Sequence, residues 1–163
     1  MCGIIAIARQ RNHEPAVDVA TVASALDGVA DLLRSDSASW PQPFERAAGI
    51  LEDLNGRLAG EPGVMGLLAS PGAAEAVAAH CKTLNGLIDE AEGHLDGTTH
   101  GLSSVALEAT NAELIRCKDA LWAIERDRLR AASGVALLAA DLPGRAGCCL
   151  LYTSPSPRDL NPN

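Results

Sequence analysis

The sequence predicts a mostly α protein, with one N-terminal β-strand followed by about four antiparallel helices. Three observations carry that prediction. Apolar residues recur at alternating three- and four-residue steps through most of the chain. Apolar residues make up 47% of the 163 residues and aromatics only 2%, so the core must be built from Leu, Ala, Val and Ile, which let helices approach closely. Only the start departs from the helical period. Cys2 to Ile7 is a short Ile-rich run closed by the polar Arg9-Gln10-Arg11-Asn12, the pattern of a buried strand.

The helices follow in order. Val19, Val22, Leu26, Val29 and Leu33 fall on one face, with Asp18, Asp27, Asp31 and Arg34 largely outside it. Ser35 to Pro43 is a loop by composition. Phe44, Ala47, Leu51, Leu54 and Leu58 repeat the spacing, and Gly60-Glu61-Pro62-Gly63 breaks this second helix. Val64 to Ala69 is a short apolar piece, followed by a turn at Ser70-Pro71-Gly72. Val77, Cys81, Leu84, Ile88, Ala91 and Leu95 form a third stripe, and Gly93 to Gly101 reads as another loop. The fourth helix is clearest from Thr110, which has capping-box spacing to Glu113. Leu114, Cys117, Leu121 and Ile124 supply its apolar face, and Leu142-Pro143-Gly144 ends the pattern. Stripes this short predict bundle packing rather than an extended coiled coil.

Charge and composition exclude several function classes. The net charge of −8 speaks against a nucleic-acid footprint, which needs a concentrated basic face, and against an anionic membrane surface. No apolar run reaches the roughly 18 residues needed to span a bilayer. The start lacks the basic region of a signal peptide. Cys2, Cys81, Cys117, Cys148 and Cys149 show no framework spacing, so a reducing, cytoplasmic setting is expected. The segment from Cys149 to Asp159, CLLYTSPSPRD, resembles a transposon-based sequencing adapter read in frame. Residues 149–163 are therefore expected to be a non-native tail, with the natural sequence running to about Cys148 and continuing beyond it in a longer parent.

The chemistry-bearing motif is Met1-Cys2-Gly3-Ile4. Removal of Met1 would leave Cys2 with a free α-amino group, whose ordinary pKa is roughly 7.7–8.0. That amine can act as general base for the thiol of the same residue, directly or through one water. Gly3 leaves room for backbone near a substrate, and the Ile4 to Ile7 run would anchor the nucleophile. Other residues have plainer readings. His80, Cys81, His94, His100 and Cys117 lack the paired spacing of a metal site, and no metal or other cofactor is expected. Cys81 and Cys117 lie in apolar stripes and read as small hydrophobes. Trp40 reads as packing over a helix end, and Trp122 as a partial core residue. The charges from Glu113 to Arg130 read as a solvated helix face. Asn55-Gly56 and Asn85-Gly86 fall inside helical stripes as tolerated interruptions.

Cys2, Gly3, Ile4 and the apolar run after them resemble the opening of class II glutamine amidotransferases, which are N-terminal-nucleophile hydrolases. Asn111 to Leu129, above all Lys118-Asp119-Ala120-Leu121-Trp122 and Arg126-Asp127-Arg128-Leu129, is similar to a helical insertion in long-form glucosamine-6-phosphate synthase-like members. The resemblance implies a parent domain with a four-layer αββα sandwich. Residues 1–10 would be its first strand and 16–140 a helical insertion. It implies Cys2 as nucleophile toward glutamine, with ammonia passed to a sugar phosphate, and it leaves room for a homodimer. The family's glutamine-binding segments, an Asp-Ser-Ala-Gly-like run and a Thr-Arg-Trp-Ala-Thr-His-Gly-like run, have no counterpart here. Neither Asn-Gly pair has the surroundings of the family's oxyanion hole. The chain by itself is therefore expected to be inactive. The rival expectation is a non-catalytic helical interaction or dimerisation module.

Overall fold

The computed structural model describes residues 14–97 and 101–141 of the chain, without the side chains of 138–141. Asp18 opens α1 (Val19–Leu33): its carboxylate accepts from the Ala20 N–H at 3.1 Å and from the Thr21 hydroxyl at 2.7 Å. Asp36 caps a single 3₁₀ turn, Ser37–Ser39, in the same way. Pro43 lies in the first turn of α2 (Gln42–Arg57), where its missing N–H costs nothing. Gly60, at φ +71°, breaks the chain between α2 and α3 (Gly60–Leu68), a conformation that favours glycine. Gly72, at φ +84°, does the same before α4 (Ala73–Asp96). Ser103 caps α5 (Ser104–Ala123), accepting from the Ala106 N–H at 3.2 Å. α5 runs on through a π-helical stretch, Ile124–Leu129, into α6 (Arg130–Asp141).

Four of these helices make the main core. α1 packs on α2 and α4, and α5 closes the ring by packing on α2 and α4 as well. Leu26, Phe44, Leu51, Leu54, Leu84, Ile88, Leu114 and Leu121 are fully buried within it. α3 and α6 pack on each other, where Val64 and Val135 form a small separate cluster flanked by Leu68 and Ala131. Gly63 and Gly66 matter here. A Cβ on Gly63 would run into the Leu58 carbonyl, and one on Gly66 into the Val17 carbonyl. Only glycine lets the chain on either side close onto α3.

Several sequence expectations are corrected. The expected fold of one strand followed by about four helices gives way, among the described residues, to helix alone. The described residues contain no strand and six α-helices. The expected strand, Cys2 to Ile7, lies outside the described residues, as does the tail 149–163. The helical stripes fit in part, because burial of one face per helix is what their spacing encodes. The break expected at Gly60 to Gly63 falls instead at Leu58 and Ala59, and Gly60 to Gly63 form the first turn of α3 together with the apolar piece after them. Helix α4 continues to Asp96, through Gly93. Thr110 caps nothing. It sits mid-helix in α5, fully buried, with its hydroxyl donating to the Ala106 carbonyl at 2.8 Å.

Candidate functional site

Cys2, Gly3 and Ile4, the residues expected to carry chemistry, lie outside the described residues, together with Cys148 and Cys149. The two described thiols are core groups. Cys81 faces inward from α4 and Cys117 from α5, and both are fully buried. Burial, reinforced by the Glu125 charge, pushes the Cys81 thiol up to about 12. Burial, with the charge of Glu113 adding to it, pushes Cys117 to about 12 as well. Cys117 Sγ donates weakly to the Phe44 carbonyl at 3.8 Å. A nucleophilic thiol needs its thiolate near neutral pH, and both are held far from it.

Two hollows flank α1 and α4. One, of about 350 Å³, lies where the end of α1 and the 3₁₀ turn meet α4, and is lined by Arg34, Ser35, Trp40, Leu87, Glu90 and His94. Trp40 is buried, with its ring edge-on to Phe44 at 4.8 Å and to His94 at 5.6 Å. It thus packs between the start of α2 and the end of α4. Trp40 Nε1 and Ser35 Oγ are buried with no hydrogen-bond partner and no surface open to solvent. The other hollow, of about 380 Å³, holds Asp27, His80 and Thr83. His80 Nδ1 lies 3.3 Å from Asp27 Oδ1. The Thr83 hydroxyl donates to the Ala79 carbonyl of its own helix at 3.1 Å. Among the described residues no three His, Cys, Asp or Glu side chains converge as a metal site.

The charged face of α5 does more than meet solvent. Arg116 reaches Glu52 on α2 through two bonds, at 2.9 and 2.7 Å, and Glu113 at 2.6 Å. Lys118 holds both carboxylate oxygens of Glu92 on α4, at 2.9 and 2.8 Å. Both Asn-Gly pairs lie inside helices, Asn55-Gly56 in α2 and Asn85-Gly86 in α4. Their asparagines grip the π-helical stretch: Asn55 Oδ1 accepts from Arg128 Nε at 2.9 Å, and Asn85 Nδ2 donates to Glu125 Oε2 at 3.3 Å. These cross-helix bonds carried no sequence signal beyond charge, since partners 40 to 73 residues apart share no period. Trp122, expected in the partial core, is 59% exposed.

The described residues therefore hold a packed scaffold with no activated nucleophile. No helix among them is long and apolar enough to cross a membrane. No family model, no curated protein and no solved structure matches the chain.

Proposed function

We propose that this chain carries the nucleophile-bearing start of a cytoplasmic class II glutamine amidotransferase, with the helical bundle as an insertion behind it. The observation that supports the reading is the Cys2-Gly3-Ile4 motif directly after Met1. The two described thiols, Cys81 and Cys117, are buried and do not compete for this role. In this reading the α-amine of Cys2 takes the thiol proton, and the sulfur attacks the γ-carboxamide carbon of glutamine. The tetrahedral adduct collapses to a γ-glutamyl thioester as the nitrogen takes up a proton and leaves as ammonia. Water then cleaves the thioester to glutamate and restores the thiol. The ammonia adds to the carbonyl carbon of a sugar phosphate such as fructose 6-phosphate, whose carbonyl oxygen leaves as water.

The test is intact-mass analysis and peptide mapping of the parent protein after treatment with a diazoketone glutamine analogue. One covalent adduct, on Cys2, is expected; a protein that stays unlabelled there rejects the reading. The 163-residue chain lacks the family's glutamine-binding runs, and its expected glutamine turnover is nil. A second reading is a non-catalytic helical interaction or dimerisation module, favoured by the packed bundle with no activated group. It predicts a concentration-dependent mass in solution and no adduct on Cys2.

A further inference from the structure

Helix α5 turns Thr110, Leu114, Cys117 and Leu121 into the core. Its opposite side carries Ile115 and Trp122, which are 58% and 59% exposed. Seven residues make two turns of α-helix, so both side chains stand on one face of one helix. Ala112, one turn before Ile115, is exposed on that side, and so is Asp119 between the two. An opposite pair of charges frames the face. Glu108 and Arg126 are exposed and five turns apart, with Arg126 just inside the π-helical stretch. The cations on the flanks of α5 are already engaged, Arg116 with Glu52 and Glu113, and Lys118 with Glu92. Glu108 and Arg126 have no ion-pair partner among the described residues.

We propose that this face pairs two copies of the chain, with their α5 helices antiparallel. The pattern is self-complementary about one point. Cys117 lies midway between Glu108 and Arg126, and also midway between Ala112 and Trp122. A two-fold axis at that level sets Glu108 opposite Arg126 of the other copy, and by symmetry does so twice. It also sets each Trp122 opposite the small Ala112 of the other copy, which leaves room for an indole at the centre of the contact. The two Ile115 positions fall about 6 Å apart along the helix axes. Each comes level with Asp119 of the other copy, whose carboxylate stays in water at the rim. A parallel pairing would instead set Glu108 against Glu108 and Arg126 against Arg126. With a net charge of −8, two copies repel one another, so they meet best where both signs are present and matched. A single helix contact is small, which places the pair in the weak, transient class. The inference goes beyond the amidotransferase reading and does not depend on Cys2.

Sedimentation equilibrium of the 163-residue chain, at low salt and with reductant present, measures the association. The mass is expected to rise from one chain toward two as concentration increases. Trp122→Ala should weaken association about tenfold. Glu108→Arg and Arg126→Glu each remove both cross-pairs at once, and each alone should weaken it about fivefold. The double variant restores opposite charges across the two-fold and should return to within about twofold of wild type. All three positions are exposed, and thermal melting of each variant, expected to match wild type, separates lost association from lost folding. A chain that stays monomeric at about 1 mM, association unchanged by Trp122→Ala, single charge swaps without effect, or a double variant as weak as either single one each overturn the proposal. Labelling of Cys2 has no bearing on any of these outcomes, so this proposal and the amidotransferase reading fail separately.

Discussion

Cys81 and Cys117 show how position decides the chemistry of a residue type. Each sits on the apolar stripe of its helix, and that placement was legible from spacing alone. Burial then pushes both thiols up to about 12, so almost no thiolate exists at neutral pH. Native protein at pH 8 should leave both unmodified by iodoacetamide over hours, with labelling only after denaturant is added. Rapid native labelling of either would mean the core opens there. Leu51 of α2, fully buried in the main core, carries a packing prediction of its own. Leu51→Ala should cost about 2–5 kcal/mol in urea unfolding, from lost transfer energy plus the cavity left behind.

At the scale of elements, the glycines separate two physical situations. Gly66 of α3 is pressed by the Val17 carbonyl, so Gly66→Ala must displace backbone and should lower the melting temperature. Gly28 of α1 is solvent-facing with open space where a Cβ would sit, so Gly28→Ala should raise stability by about 0.5–1 kcal/mol. Thermal unfolding of the two variants should shift in opposite directions. The sequence made the stripes of α1, α2 and α4 readable because each buries one face of regular period. The first turns of α5 were the least legible, because Thr110 and Glu113 have the spacing of a capping box, while Ser103 holds the cap seven residues earlier. The sequence missed α3 because a helix containing Pro62 and opening on Gly60 looks like a break. It gave no hint of the π-helical stretch, whose grip on Asn55 and Asn85 depends on tertiary contact. The site expectation, Cys2, stood on a motif that lies outside the described residues.

For the whole molecule, the ion pairs across the ring of helices set a dependence on pH. Glu52 is held below the ordinary carboxylate range by its hydrogen bonds from Arg116. A carboxyl depressed in the folded state adds stability that is present above its unfolded pKa and lost as pH falls through the folded value. The α2–α5 pair should therefore weaken as pH drops below about 4.5. Lys118 is raised by the bonds it donates to Glu92, so its contribution is full below the ordinary lysine value and fades as pH climbs past it. Both pairs are largely exposed, so the effects should be small and shrink with added salt. Chemical denaturation at pH 7 and pH 3.5 should show wild type losing more stability on acidification than Glu52→Gln.

Under the amidotransferase reading we propose, chemistry belongs to Cys2, and Cys81 and Cys117 are packing residues. The direct measurement is glutamine hydrolysis by the protein from its complete reading frame, compared among Cys2→Ala, Cys81→Ala and Cys117→Ala at a temperature where all three are folded. Cys2→Ala is expected to abolish ammonia release while the other two keep turnover within about threefold of wild type, as expected for groups that never meet the transition state. Full turnover in Cys2→Ala, or loss confined to Cys81→Ala or Cys117→Ala, would contradict that reading.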